Sequence, residues 1–317
     1  MSFTPARLLL FGGTGAIGSY ITEAILKRSA SFSHVALFTS PATVAAKQAL
    51  LAKWKTQGLS EVVVGDITSA ADITKAYASV KPDTVVSALG RGALHLQRQL
   101  VAIADAPDNS VQWFFPSEYG TDIEHNAKSP NEKPHQHKLA LRKFIHESVK
   151  NLKITYLVTG PYFDMWVDVR GDPRGGGYDV PAKKAYLVAP DAKVGFCTMA
   201  DVGKFLVAAL AHPEASFGKA LKVQSFIVTP REVLAEYEKQ TGGTWQVQTT
   251  TLAELEALEA KAWADGFPGA TGYTLRRIWA EGGTLYDKND NEAIGVSEAD
   301  LDSLADAVKR EIARVSQ

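Results

Sequence analysis

The run LLLFGGTGAIG, Leu8 to Gly18, puts a short apolar segment directly before glycines at 12, 15 and 18. The apolar segment reads as a buried strand, and helical character starts about Ala16, so the glycines sit in a strand-to-helix loop. Glycine is needed there where the backbone turns tightly, where it approaches a pyrophosphate, and where the helix must pack on the strand. The helix N-terminus then faces the anion. With 25 glycines in 317 residues, this three-glycine spacing arises by chance about 0.15 times per chain, so its strand-loop-helix setting carries the argument.

Outward from that loop, Val/Ile/Leu/Phe-rich runs recur at Leu8 to Phe11, Val35 to Phe38, Val62 to Val64, Thr84 to Ser87, Val111 to Phe115 and Ile154 to Val158. They read as strands buried on both faces. Helical segments are expected between them at Ala16 to Ser29, Thr43 to Gln57, Ala70 to Ser79, Ala93 to Ala104 and His135 to Lys150. Regular alternation predicts an α/β chain: a doubly wound parallel Rossmann sheet whose ligand site lies at the carboxyl ends of the strands, with a smaller α+β substrate-binding lobe. The expected boundary is near Gly160. Residues 1–160 form the nucleotide-binding domain, and 161–317 form mainly the second lobe, with some segments returning to the first. Past Gly160 the rhythm breaks, because Arg170 to Gly177 holds four glycines and a proline and Tyr178 to Pro190 has no helical period. Helices are expected again at Ala200 to Ala211, Pro230 to Thr241, Leu252 to Trp263 and Tyr273 to Glu281, with strand-like runs near Leu221 to Val223 and Trp245 to Val247.

Composition narrows the classes. Lys and Arg number 34 against 35 Asp and Glu, a net charge of −1, which offers a nucleic acid no general attraction. The lone cysteine, Cys197, forbids an internal disulfide and a cysteine-based zinc cage and fits a reducing compartment, so cytoplasm is the expected location. The N-terminal apolar run is too short for a signal sequence, and no stretch approaches the roughly 20 apolar residues of a membrane span, so no membrane partner is expected.

The second strand ends VALFTSPAT, where NAD-preferring folds place an acid for the ribose hydroxyls. Thr39 and Ser40 stand there instead. No carboxylate repels a 2′-phosphate, and Ser40, Lys47 or Lys53 could receive it, which favours NADP; lysines so spaced also suit a solvated helix face. In PHQHKLALRKFIHESV, Leu141, Ile145 and Val149 share one helical face and Lys138 begins it. Such a lysine either ends beside the sheet's carboxyl edge, with a pKa lowered by burial, or snorkels past the apolar stripe into water. His125, His135, His137 and His146 cluster in sequence, but His135 and His137 are two apart and cannot share a ligand, so no metal is expected. A hydrolase would need a G-x-S-x-G elbow, and none occurs.

GGTGAIG, VVVGDIT with Asp66, SALG with Gly90, FFPSEYG from Phe114 to Gly120 and the helix lysine Lys138 together resemble the isoflavone reductase-like, or NmrA-like, atypical short-chain dehydrogenases. The run TLRRIWAEGGTLYDKNDNEAIG, Thr274 to Gly295, looks like fungal members of that group, so the resemblance spans most of the chain. It implies hydride delivery from NADPH to an apolar aromatic or conjugated small molecule, plausibly in secondary metabolism. It further implies cofactor contacts at Gly12, Thr14, Gly15, Ala16, Ile17 and Gly18, at Thr39, Ser40 and Lys47, at Asp66 and Ile67, and at Ala88, Leu89 and Gly90. Pro116 and Ser117, Lys138 itself, and Gly160, Pro161 and Tyr162 complete that set. Lys138 is the expected proton-handling or cofactor-orienting group.

The tyrosine of the common short-chain dehydrogenases would fall four residues earlier, where Pro134 stands, so another group must supply the proton. Tyr119 is the other candidate, or else a packed turn tyrosine. Plant members carry an arginine after the second strand where this chain has Thr39. In GPYFDMW, Tyr162, Phe163 and Trp166 either line the nicotinamide and substrate pocket or form an aromatic core beneath the second lobe. The expected form is a monomer or homodimer. A non-catalytic NADP-binding sensor of the NmrA-like type is the alternative, although Lys138 favours an enzyme. A sugar-nucleotide epimerase is weaker still, for want of the tyrosine.

Overall fold

A computed structural model of the chain describes residues 3–316. Strands β1 (Arg7–Phe11), β2 (His34–Thr39), β3 (Glu61–Val64), β4 (Thr84–Ser87), β5 (Trp113–Phe115) and β6 (Lys153–Val158) alternate with helices α1 (Ala16–Leu26), α2 (Pro41–Ala46), α3 (Gln48–Thr56), α4 (Ala70–Val80), α5 (Gln97–Ala104) and α6 (Gln136–Ser148). The six strands pair in parallel in the order 3-2-1-4-5-6, and a seventh, β10 (Lys219–Lys222), joins beyond β6. The sequence order reverses between β1 and β4, which opens a crevice at their carboxyl ends.

The apolar runs are continuous because the sheet is covered on both sides. Leu8, Leu10, Leu37, Val86 and Phe115 face one cluster with Ile21 and Ile25 of α1. Their chain neighbours Leu9, Phe11, Phe38, Val85 and Phe114 face the other, with Tyr77 and Val80 of α4 and Leu141 and Ile145 of α6. Successive strand residues therefore serve opposite cores, as a period of two requires.

The second half continues through α7 (Phe163–Trp166), β7 (Gly177–Asp179), β8 (Lys184–Val188), β9 (Val194–Phe196), α8 (Met199–Ala211), α9 (Pro213–Ser216), β10 (Lys219–Lys222), β11 (Phe226–Val228), α10 (Pro230–Thr241), β12 (Gln246–Thr250), α11 (Leu252–Ala264), α12 (Ala270–Ala280) and α13 (Leu304–Val315). Helix α8 lies against α1, so close that a Cβ on Gly203 would come within 2.6 Å of the Tyr20 carbonyl oxygen. It, α9 and β10 belong physically to the first half. The remaining elements build a separate lobe: β7, β8 and β12 form one small sheet, β9 and β11 another, over an aromatic core that includes Phe163, Trp166, Tyr178, Phe196 and Tyr237.

Three local departures from the sequence expectation have physical causes. The helix expected over Thr43 to Gln57 breaks at Lys47, whose φ of −122° and ψ of 32° lie outside the helical range, which divides it into α2 and α3. The segment expected as helix from Ala93 opens as a 3-10 turn, Arg91–Leu96, before α5. The stretch without helical period after Gly177 is the antiparallel pair β7 and β8, too short and glycine-rich to announce itself. Helix α13 went unread, yet it carries a capping box from Ser303 to Asp306, which is a legible helix start.

Candidate active site at the lobe interface

The crevice begins at the glycine loop. Gly12 sits at φ +73°, and a Cβ there would meet the Ala88 carbonyl oxygen at 2.6 Å, so glycine alone lets the ends of β1 and β4 approach. A Cβ on Gly18 would collide with the Gly12 carbonyl, which is how α1 comes down onto the loop. Gly15 caps α1 with no side-chain partner, leaving the first-turn N–H groups pointing out of the helix end. Lys47, freed by the break between α2 and α3, reaches across to donate to the Thr14 carbonyl at 2.5 Å. Its ammonium therefore lies over the loop. Ser40 caps α2 by accepting from the Thr43 N–H at 3.2 Å, and Thr39 is buried at the end of β2.

From this loop a cavity of about 680 Å³ runs between the lobes. Its first-lobe wall includes Gly15, Ala16, Ile17, Ala88, Leu89 and Gly90, continuing to Ser117, Tyr119 and Lys138 and to Gly160, Pro161 and Tyr162 after β6. Trp166, Tyr273, Arg276 and Trp279 face it from the second lobe. Helix α12 is clasped to the first lobe where it crosses. Trp279 Nε1 donates to Thr121 Oγ1 at 2.8 Å, and Arg277 pairs with Glu132 at 2.8 Å. A separate hollow of about 560 Å³ near Trp263 is an open surface depression in which Arg277 already meets Glu259 and Glu281.

The segment Ser117 to Gly120 is held by a buried ion pair. The Glu118 carboxylate is fully buried and lies 3.2 Å from Arg142 Nη2, while Arg142 Nη1 reaches Glu124 at 2.6 Å. Arg142 is one helical turn beyond Lys138, so the same face of α6 supplies both cations. The guanidinium takes the Glu118 side chain, and the Glu118 backbone carbonyl accepts a hydrogen bond from Lys138 Nζ at 2.6 Å. The Gly120 carbonyl ties the turn to the end of β6 by accepting from the Thr159 and Gly160 N–H groups at 3.1 and 2.9 Å. Ser117 Oγ donates to the Leu89 carbonyl at 2.8 Å. The ends of β4, β5 and β6 thereby meet beside one ammonium.

Lys138 neither snorkels outward nor stands free. Burial brings it down from 10.5 to about 8, with Arg91 and Arg142 adding to the effect and the Glu118 charge opposing it. His135, on the same rim, donates from Nδ1 to the Ser129 carbonyl, 2.9 Å away, and its buried Nε2 has no partner among the described residues. Burial lowers its pKa as well, which keeps the ring neutral near pH 7.

Other expected residues lie elsewhere. Phe163 is 1 % exposed and does not line the cavity: its N–H donates to the Cys197 carbonyl at 2.9 Å, drawing the ring against β9, edge-on to Phe196 and Phe226. It is a core residue of the second lobe, whereas Trp166 packs in the same core and keeps an edge on the cavity. Asp66 is exposed and engaged in its own turn, accepting from the Thr68 N–H and Oγ1 at 2.8 Å each, with Ile67 packed beside it against the sheet. Pro116 is buried behind Ser117.

Tyr119 faces the cavity, but its hydroxyl is shielded and without a partner among the described residues, and burial raises its pKa far above the ordinary phenol value. The Tyr162 hydroxyl is spent on the Tyr119 carbonyl at 2.7 Å. Four site residues escaped the sequence reading: Arg91, directly after Gly90, the buried pair Glu118 and Arg142, and Arg276. Each is legible only as a charge at a position with no local reason for one.

Comparison with known proteins agrees with this architecture. The isoflavone reductase of Pisum sativum is 27% identical over 271 residues, 81% of each chain. The phenylcoumaran benzylic ether reductase Pyrc5 of Pyrus communis is 26% identical over 243 residues, 75% of this chain and 76% of its own. A solved binary complex of leucoanthocyanidin reductase with NADPH, from Vitis vinifera, shares the fold at a TM-score of 0.79 and 19% identity, covering 97% of this chain and 100% of that one. The NmrA-like family model matches residues 4–270, from the first strand to the start of α12, and the chain accordingly belongs to the NmrA-like family.

Proposed function

We propose that the protein is an NADPH-dependent oxidoreductase that reduces an aromatic or conjugated small molecule. The observation that carries this reading is the position of Lys138, whose half-buried ammonium lies inside a cavity bounded by the glycine loop on one side and by aromatic side chains on the other. The printed names of the sequence relatives, reductases of isoflavones and of phenylcoumaran benzylic ethers, support it.

The residues fit a dinucleotide. The close approach at Gly12 and the uncapped start of α1 leave backbone N–H groups for a diphosphate, and Lys47 and Ser40 offer a cation and a hydroxyl for a 2′-phosphate. Ala88 to Gly90, Ser117 and Gly160 to Tyr162 would flank the nicotinamide half. When bound, the cofactor supplies the hydride.

The chain does the rest. The cavity between the lobes seats a flat substrate beside the cofactor, and the aromatic wall orients it. Lys138 gives one N–H to the Glu118 carbonyl, which aims the ammonium and leaves two N–H groups free. One of these protons goes to the substrate atom that becomes electron-rich as the other end of the reduced bond takes the hydride. The amine is then reprotonated from solvent. With its pKa about 8, Lys138 is still mostly charged at neutral pH and a far better acid than an unperturbed lysine. Tyr119, with its shielded hydroxyl, is the weaker candidate.

A non-catalytic NADP sensor would use the same loop but has no need of a lysine aimed this way or of an aromatic chamber behind it. Titration with NADPH and NADH, followed by NADPH oxidation against aromatic ketones and enones in wild type and Lys138→Ala, tests the proposal. Turnover that collapses in the variant supports it. Tight binding with no turnover on any compound favours the sensor, and no binding of either nucleotide rejects both.

A further inference from the structure

The cavity wall has an uneven charge. Four basic residues border it, Arg91, Lys138, Arg170 and Arg276, and among the described residues no Asp or Glu does. The whole chain is nearly neutral, so this is a local feature. Arg91 and Lys138 lie on the first-lobe side. On the second-lobe side Arg170 is already paired with Asp168 at 3.0 Å, and Asp168 is also held by Arg314 at 2.5 Å. Arg276 has no carboxylate partner among the described residues.

Its neighbour Arg277 shows the contrast, since it meets Glu132, Glu259 and Glu281 on the other side of α12. Arg276 points inward, donates from Nη2 to the Trp166 carbonyl at 2.6 Å, and lies 5.1 Å from the centre of the Trp166 ring. Room for it is made by glycine: a Cβ on Gly176 would stand 2.7 Å from Arg276 Nη1. Burial lowers the guanidinium to about 10, so it is charged at neutral pH but poorly solvated. Placing a charge with no ion-pair partner among the described residues against the Trp166 ring is costly unless something brings a counter-charge closer, and a planar fork of N–H donors matches a carboxylate best.

We propose that Arg276 receives a carboxylate on the substrate, so that the cavity takes an aromatic acid with its ring against Trp166 and Tyr273. This rests on the reductase reading above and narrows its substrate class from apolar aromatic compounds to anionic ones. The rest of the aromatic wall then sets the width of the ring, and Arg276 sets polarity.

The test uses two probes of the same shape, trans-cinnamate and trans-cinnamamide, titrated calorimetrically into the full-length protein with and without NADP. Wild type is expected to bind the acid about tenfold or more tightly than the amide, Arg276→Gln to lose that preference, and Arg276→Lys to keep part of it. Because the ratio is taken within each variant, loosened packing around Trp166 weakens both probes and leaves the ratio standing. Equal affinities in wild type, no measurable binding of the acid, or an undiminished ratio in Arg276→Gln overturns the assignment. So does an NADPH affinity that falls in Arg276→Gln, which would give the guanidinium to the cofactor. NADPH binding by wild type with no acid preference removes this inference alone, whereas failure to bind NADPH removes the reading beneath it.

Discussion

Replacing Lys138 by Met separates its chemical role from its structural cost. In the folded chain the ammonium loses its proton at about 8, against 10.5 for an unburied lysine. If the ammonium is the acid, kcat/KM is level below that value and falls about tenfold per pH unit above it, with about a tenth of the activity left at pH 9. Lys138→Met should lower kcat/KM by about 10²- to 10⁴-fold, the usual worth of a positioned acid, and abolish the break.

Stability moves the other way. The folded pKa is depressed for a base, so between about 8 and 10.5 the unfolded chain binds more protons and stability rises with pH. Below that window the buried ammonium is a standing cost of at most about 3 kcal/mol, reduced by its partial contact with solvent. Lys138→Met should therefore be as stable as wild type or more so at pH 7, and should lose the gain in stability from pH 8 to 10. Steady-state rates between pH 6 and 10, with urea unfolding at each pH, measure both. A break near pH 8 that persists in Lys138→Met, or a variant that is both inactive and markedly unstable at pH 7, would refute the assignment.

Other substitutions probe the parts around it. Arg142→Leu strands the buried Glu118 carboxylate and should cost about 3–5 kcal/mol in urea unfolding, whereas an exposed pair such as Lys143 with Glu147, 3.9 Å apart, should cost under about 1 kcal/mol. Lys47→Ala should weaken NADPH about tenfold and leave NADH unchanged, read by fluorescence titration; equal losses for both would mean that it supports the loop and not a 2′-phosphate. Gly18→Ala should abolish binding of both nucleotides, because the added carbon collides with the Gly12 carbonyl and lifts α1 from the loop. Phe163→Ala should destabilise by about 3–5 kcal/mol with KM little changed in the surviving folded protein, since the ring packs in the core and does not touch the cavity.

The first lobe was legible because its information is local. Each apolar run from Leu8 to Val158 is unbroken within a few residues, each crossover follows in sequence, and the glycines at 12, 15 and 18 act within a few residues of one another. The face of α6 on which Lys138 lies follows from helical spacing alone.

What the tertiary structure decided concerns groups distant in sequence. Periodicity left Lys138 free to face the cavity or the solvent, and the choice was made by the Glu118 carbonyl, 20 residues away, held in place by Arg142. Phe163 and Trp166 look equivalent in GPYFDMW, yet β9 claims one ring for the core and leaves the other an edge on the cavity. Arg276 and Arg277 are adjacent, and only the packing of α12 between the lobes sends one to three carboxylates and the other to none. A strand or a helix is chosen by interactions within a few residues, whereas the partner of a charge is chosen by whichever segment the fold carries alongside it, and no local pattern encodes that neighbour.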